Sequence, residues 1–287
     1  MAGYSLHIGL NIVDKTAYGG WNGALSGCVN DANAMAELAA SAGFSHNTKL
    51  LNKDATSSAI IGGISQLACN ASSGDICLIT YSGHGGQVAD QNGEEDDFKD
   101  ETWVAYDRQI VDDELYQMWS QFDSDVRIVV CSDSCHSGTV IRDFVIQKTR
   151  ESVMENVRTL PKAQADRINI VDGAAKALPL DVQRDDNKRR RETYQFVQAL
   201  SGRKSAADIQ ASVLLLAGCQ DSQYSYDGAT NGQFTQALLQ TWSNGFYQGS
   251  YTTFVGSIAE KMPPDQVPNL DLINANSEFV DQRPFEI

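Results

Sequence analysis

Cys135 is the residue whose type and position in the sequence most clearly allow chemistry. Residues 126–131, just before it, are apolar apart from Arg127 and predict a buried central strand. Residues 132–138 then place small and hydroxyl-bearing side chains around the thiol. Open α/β sheets bind ligands beyond the carboxyl ends of their strands, so a thiol at this point is a candidate nucleophile. The alternative is a buried cysteine that only packs.

His84 has the same kind of placement. Residues 75–81 form a second apolar run that predicts a strand, and Ser82, Gly83, His84 and two glycines follow it. Glycines beside the ring allow a substrate backbone to approach closely. If the two strands are parallel neighbours, the imidazole and the Cys135 thiol meet at one edge of the sheet. That pair is the smallest arrangement for thiolate catalysis, whereas a lone histidine is usually structural.

The two segments resemble the paired signatures of the metacaspases, caspase-like cysteine peptidases whose bacterial members are often called orthocaspases. Residues 81–87 (YSGHGGQ) and 133–138 (DSCHSG) carry the resemblance, and further matches run from about Gly27 to the C-terminus. The resemblance implies a caspase-hemoglobinase-like α/β fold, in which helices flank both faces of a mainly parallel sheet. It also implies an endopeptidase that works through Cys135 and His84.

The chemistry expected of this dyad is attack of the Cys135 thiolate on a peptide carbonyl, while His84 protonates the leaving amine. An adjacent imidazolium would lower the pKa of the thiol. The tetrahedral intermediate needs hydrogen-bond donors for its oxyanion, and the backbone N–H groups of Gly85 and Cys135 are the candidates.

Acidic residues predict the substrate class. Asp31 could be only a helix cap, and Asp133 could be only a turn residue. The resemblance implies instead that Asp31 lines the primary specificity pocket, with Cys28 as a neighbour in its wall. Together with Asp133 and Ser82, such a pocket would favour a guanidinium or an ammonium group. We therefore expect cleavage of proteins and peptides after arginine and, less well, after lysine.

Residues 90–101 form an acidic loop, which is either solvated or stabilised by a hard cation such as Ca²⁺. In many metacaspases a calcium site draws on an aspartate in this region and on a later pair, which Asp100, Asp112 and Asp113 match. The family places another aspartate seven residues after the nucleophile, where this chain has Arg142, and Asp143 follows it. Asp112 and Asp113 could equally well only begin a helix.

Three regions of one α/β unit are predicted. Residues 1–140 are a large-subunit-like region with the dyad, residues 141–211 a polar, basic and solvated linker, and residues 212–287 a small-subunit-like region that completes the same sheet. An exposed basic linker between two core strands is where such a peptidase would cut itself. The candidate residues for that cut are Arg184, Lys188, Arg189, Arg190, Arg191, Arg203 and Lys204.

Composition narrows the partners of this 287-residue chain. Its formal net charge of −15 argues against nucleic acids and anionic membranes as partners. No apolar run approaches the length of a membrane span. Six scattered cysteines without zinc-site spacing predict reduced thiols and a cytoplasmic protein. We expect a monomer.

Two functions are alternatives to an endopeptidase. One is a catalytically silent caspase-like binding or regulatory module, and the other is a peptide ligase that uses the same dyad.

Overall fold

Apolar parallel strands form the centre of the protein in the computed structural model, which describes residues 1–90, 99–135, 174–201, 208–220 and 223–287. Over these residues the strands are β1 (Gly3–Gly9), β2 (His46–Leu51), β3 (Ile76–Ser82), β4 (Gly85–Ala89), β5 (Lys99–Val104), β6 (Gln109–Val111), β7 (Arg127–Asp133), β8 (Ser212–Ala217) and β9 (Asn269–Ile273).

Six of these strands form the main sheet, in the order β2-β1-β3-β7-β8-β9. Every neighbouring pair in it is parallel except β8 and β9, which are antiparallel. The other three strands, β4, β5 and β6, form a separate antiparallel sheet that follows directly from the end of β3.

Helices cover both faces of the main sheet. Within the described ranges they are α1 (Cys28–Ser41), α2 (Ser57–Asn70), α3 (Asp112–Trp119), α4 (Leu180–Arg189), α5 (Arg191–Ser201), α6 (Gln233–Trp242), α7 (Tyr251–Ala259) and α8 (Ser277–Asp281). Side chains alternate along β3, so that Cys77 and Ile79 pack in the core with α2 and α3, while Ile76 and Leu78 pack in the core with α1, α6 and α7. The predicted fold class, a mainly parallel sheet between two helical layers, is confirmed.

The register between β3 and β7 brings the two chemical segments together. Ser82, the last residue of β3, lies opposite Asp133, the last residue of β7. Because the strands are parallel, His84 and Cys135 each follow two residues later at the same edge of the sheet. Both strands are mainly apolar and almost wholly buried, because both of their faces are covered.

Residues 174–201 differ from the solvated linker that the sequence predicted. Helices α4 and α5 dock beside β4 and β6. The Gln183 side chain accepts a hydrogen bond from the Gln87 N–H (2.9 Å), and Asn187 donates one to the Gln87 carbonyl (2.9 Å). The buried Asp186 carboxylate accepts from the side chains of Gln109 (2.8 Å) and Tyr194 (2.6 Å). Polar composition was misleading here, because these contacts are made by polar side chains.

None of the described helices combines the length and the apolar character that a bilayer span requires.

Stability is expected to fall in acid because of His7 in the centre of β1. The ring is fully buried, and its Nδ1 lies 2.9 Å from the Thr80 hydroxyl. Burial, and then Lys49, lowers the His7 pKa from 6.5 to about 3. Between pH 6.5 and about 3, the His7 ring is therefore protonated in the unfolded chain but neutral in the folded chain. The stability that is present above pH 6.5 is lost as the pH falls towards 3. The slope from this ring approaches about 1.4 kcal/mol per pH unit.

Denaturant unfolding at pH 7 and pH 5 measures this contribution. The loss of unfolding free energy between the two pH values is expected to be smaller in His7→Gln than in the wild type. The exposed His46 supplies the control variant, His46→Gln, which should lose as much as the wild type. Equal losses in all three chains would contradict the assignment.

Candidate active site

His84 and Cys135 both lie buried at the carboxyl edge of the main sheet. The Nε2 atom of His84 lies 3.1 Å from the Gly23 carbonyl oxygen, and the Trp21 ring packs against the imidazole at 4.8 Å between centroids. Burial lowers the pKa of His84 to about 4; the Gly23 carbonyl opposes this shift, and Lys176 adds to it. The imidazole is therefore neutral at physiological pH in this arrangement.

The Cys135 thiol is also held in its neutral form. Burial raises its pKa well above the ordinary value, and Cys219 adds to that effect. Among the described residues, the hydrogen bonds of the sulfur run to the backbone of Ser225 and not to His84: the Ser225 N–H donates to Sγ at 3.2 Å, and its carbonyl accepts from Sγ at 3.4 Å. The thiolate paired with an imidazolium, which the sequence predicted, is thus not the state of this structure.

A peptide segment of the chain itself crosses the site. The carbonyl oxygen of Lys176 accepts hydrogen bonds from the N–H groups of Gly85 (2.9 Å) and Cys135 (3.1 Å). These are the two donors that the sequence nominated for an oxyanion hole, and they converge on one oxygen. The segment is pinned on either side of this carbonyl, because Lys176 N–H donates to Ser225 (2.8 Å) and Leu178 N–H donates to Gly85 (2.8 Å).

Gly85 is needed for this close approach. A Cβ atom at position 85 would overlap with the carbonyl oxygen of Cys135. Any side chain there would therefore push the two N–H donors apart.

The Lys176 side chain fills an acidic pocket beneath the carbonyl. Its fully buried ammonium lies 3.2 Å from Asp31 Oδ2, 3.1 Å from Asp133 Oδ1 and 3.0 Å from Ser82 Oγ. The ammonium donates hydrogen bonds to Asp31 and Ser82 and forms an ion pair with Asp133. Burial by itself would lower the pKa of Lys176, but Asp133 and Asp31 outweigh it and hold that pKa well above its ordinary value. Three of the predicted pocket residues thus meet around one cation.

Hydrogen bonds from other elements orient the two carboxylates. Asp133 accepts from the hydroxyl groups of Ser225 (2.6 Å) and Thr235 (2.7 Å). Asp31 accepts from the Asn231 side chain (2.9 Å) and from the Gly232 N–H (2.9 Å). These positions were not found from the sequence, because each lies on a segment distant along the chain and belongs to no recognisable motif.

Cys28, the fourth predicted pocket residue, is buried at the start of α1, and burial raises its pKa to about 12. The charges of Lys176 and Asp31 and a hydrogen bond with Ser82 also act on this pKa, so Cys28 lies close to the other pocket residues. It is therefore a protonated thiol in this arrangement.

The residues predicted for a metal site also come together. Asp100 on β5 and Asp112 and Asp113 at the start of α3 are buried, and each has a carboxylate oxygen within 4.8 Å of the others. The Gln198 side chain of α5 donates to Asp100 Oδ2 at 2.6 Å. A set of carboxylate oxygens suits a hard cation such as Ca²⁺. Asp143 lies outside the described residues.

The basic residues proposed for self-cleavage lie elsewhere. Arg184, Lys188 and Arg191 are exposed on α4 and α5, whereas Arg189 and Arg190 form ion pairs with Asp185 and Asp186. Arg203 and Lys204 are outside the described residues. Lys176 occupies the pocket instead. The sequence did not reveal this role, because an isolated lysine in an Ala-Ala-Lys-Ala-Leu segment belongs to no recognisable motif.

Comparison with known proteins identifies the architecture. A family described as "Caspase domain" matches residues 10–280. Metacaspase-1 of Coccidioides immitis is 29% identical over 281 residues, which cover 90% of this chain and 58% of that protein. Metacaspase-1A of Aspergillus terreus is 26% identical over 275 residues, which cover 90% of this chain and 66% of that protein. The chain thus spans about three fifths of the length of these curated relatives.

Two solved structures share the fold. Protein GSU0716 from Geobacter sulfurreducens is 41% identical with a TM-score of 0.82, and the match covers 99% of this chain and 98% of that one. Caspase-1 from Spodoptera frugiperda is 13% identical with a TM-score of 0.53, over 94% of this chain and 88% of that one, a likeness in fold alone.

Proposed function

The chain belongs to the caspase domain family and, as its sequence signatures indicated, is metacaspase-like; from this premise we propose that it is a cysteine endopeptidase that cleaves after basic residues. One observation carries the proposal. The Lys176 carbonyl accepts from both nominated oxyanion donors while the Lys176 ammonium lies between Asp31 and Asp133. The chain's own peptide is therefore held as a substrate would be.

Each catalytic step can be assigned to a group in this arrangement. The Cys135 thiol passes its proton to His84, and the thiolate attacks the carbonyl carbon of Lys176. The N–H groups of Gly85 and Cys135 hold the oxyanion, a contribution that is typically worth on the order of 10²-fold in rate for each donor. The His84 imidazolium then gives its proton to the departing Ala177 nitrogen, which leaves a thioester. Water, deprotonated by His84, hydrolyses the thioester and restores the thiol.

The linker-filled state is proposed to be a resting state. With the segment in place, burial keeps both the Cys135 thiol and the His84 imidazole neutral. Entry of water after the linker departs would raise the His84 pKa and lower the Cys135 pKa towards their ordinary values. Departure of the segment would thus favour the ion pair for attack on external substrates, whereas self-cleavage starts from the neutral pair and forms the thiolate by proton transfer from Cys135 to His84.

Self-cleavage is proposed at the bond between Lys176 and Ala177. The support is positional, because the carbonyl of this bond accepts from the N–H groups of Gly85 and Cys135, the proposed oxyanion donors. On its carboxyl side, Leu178 is buried, and helices α4 and α5 are docked through Gln183 and Asn187. We therefore expect the two pieces, residues 1–176 and 177–287, to stay associated after the cut.

For external substrates we propose arginine ahead of lysine. Two carboxylates can hold a guanidinium bidentately. A small cavity beside the pocket is lined by Asp31, Ser82 and Asp133 together with Met35 and Leu238.

Peptide ligation on the same dyad is the second candidate, favoured by one observation. The new Ala177 amine would stay beside the thioester because Leu178 remains hydrogen-bonded to Gly85. A catalytically silent module is less well supported, because both members of the dyad are present and the site holds a peptide.

We further propose that Asp100, Asp112 and Asp113 bind Ca²⁺. Three buried carboxylates repel one another, and a hard cation relieves that repulsion. When bound, the ion would neutralise the cluster and tie β5 to α3. Because Gln198 of the linker helix α5 donates to Asp100, the same carboxylate would connect the metal to the linker.

Self-cleavage is tested by the intact mass of purified protein over time. The wild type is expected to yield fragments 1–176 and 177–287, and Cys135→Ala to yield neither. Lys176→Gln should slow this cut at least about 100-fold, because the buried carboxylates lose their charged partner. Lys188→Gln, a change at an exposed basic residue of α4, is the matched control and should cut as the wild type does. A first cut after Arg184 or Lys188 would contradict the choice of Lys176.

Substrate class is tested with fluorogenic peptides that differ only in the residue before the cut bond. Turnover is expected to be highest for Arg, lower for Lys and at least about 1,000-fold lower for Asp, because like charges in a buried pocket cost several kcal/mol. Asp31→Asn should reduce Arg turnover at least about 10-fold, whereas Asp123→Asn, at an exposed position, should not. Preferred cleavage after Asp would overturn the assignment of Asp31 and Asp133.

Calcium binding is tested by thermal unfolding and calorimetric titration. Millimolar CaCl₂ is expected to raise the Tm of the wild type by several degrees, as any ligand selective for the folded state does. Asp112→Asn should lose most of this shift, whereas Asp123→Asn should keep it. A shift that survives Asp112→Asn, or no shift at all, would refute the metal site without touching the peptidase proposal.

A further inference from the structure

Gly232 forms the wall of the pocket against which the Lys176 ammonium rests. A Cβ atom at position 232 would overlap with Lys176 Nζ and with Asp133 Oδ2, and it would lie 3.0 Å from Asp31 Oδ2. The space for the cation thus exists because residue 232 has no side chain.

The backbone does not explain why residue 232 is glycine. Its φ of −58° and ψ of 151° are ordinary for any L-residue. The position is the N-cap of α6, where Ser, Asp or Asn would satisfy a free N–H group of the helix and glycine makes no side-chain bond. The remaining reason for a glycine is the space on the pocket side.

Gly232 also has a backbone role that a substitution would preserve. Its N–H donates to Asp31 Oδ1 at 2.9 Å and helps to orient that carboxylate. Alanine keeps this N–H and adds only a methyl group. The variant Gly232→Ala therefore separates the space in the pocket from the hydrogen bond.

We propose that Gly232 is a specificity-determining residue, whose missing side chain admits a cationic head group as far from the backbone as that of lysine. This inference rests on the proposed peptidase function. A methyl group at position 232 would occupy the place of the lysine Nζ and crowd Asp133. An ammonium one methylene shorter, as in ornithine, would end before that point and still face both carboxylates. The substitution should therefore shift selectivity from lysine towards ornithine.

The experiment compares two fluorogenic peptides that are identical except for lysine or ornithine before the cut bond. We expect the wild type to prefer lysine. Gly232→Ala should lower the kcat/KM ratio of lysine to ornithine at least about 10-fold, because the clash with the ammonium acts on lysine alone, whereas the crowding of Asp133 and Asp31 acts on both peptides and cancels in the ratio. The ratio is independent of the fraction of active enzyme.

Two matched variants complete the comparison. Gly256→Ala adds the same methyl group on α7, where a Cβ meets nothing within 4 Å, and should leave the ratio within about twofold of the wild type. Asn231→Ala removes a hydrogen bond to Asp31 without filling the pocket, and it should lower both rates together.

The outcomes separate the two levels of the proposal. No turnover of either peptide by the wild type would refute the peptidase function itself. An active wild type with an unchanged ratio in Gly232→Ala would overturn the role of Gly232. Equal loss of both peptides in a folded Gly232→Ala chain would also overturn it, as would a variant that fails to fold, because the ordinary backbone angles predict a stable chain.

Discussion

One buried ammonium between two carboxylates is the contact on which the rest of the site depends. Taking three charges out of water costs several kcal/mol per ion, and only a complete set of partners offsets it. The structure supplies that set, because Lys176 donates hydrogen bonds to Asp31 and Ser82 and forms an ion pair with Asp133. Asp31 lies in α1, Asp133 in β7 and Ser82 in β3, so the contacts of Lys176 connect its own segment to three elements of the fold.

The segment that carries this lysine lies against the proposed catalytic residues. With its side chain in the acidic pocket, the Lys176 carbonyl is brought onto the N–H groups of Gly85 and Cys135. The Cys135 thiol and the His84 imidazole are buried beside this segment, and burial keeps both neutral. In the proposed resting state the bound peptide and the neutral thiol therefore occur together. Helices α4 and α5 dock beside the segment through polar contacts at Gln87 and Asp186.

The sequence predicted those parts of the site that lie next to strong local patterns. The apolar runs of β3 and β7 end at Ser82 and Asp133, so the sequence alone predicts that His84 and Cys135 lie at one edge of the sheet. Lys176 could not, because its partner Asp31 lies 145 residues away and its own segment has no periodicity. Helices α4 and α5 were missed for a related reason: their buried contacts use Asp186 and Gln198, and such residues resemble solvated ones in a sequence.

The place of the Lys176 peptide in the uncut protein decides most directly whether the proposed resting state exists. The crystal structure of the Cys135→Ala chain tests this, because that variant cannot form a thioester. We expect the Lys176 carbonyl within hydrogen-bond distance of the N–H groups of residues 85 and 135, and its ammonium between Asp31 and Asp133. A pocket filled by solvent, with residues 174–178 bound elsewhere on the protein, would contradict the account.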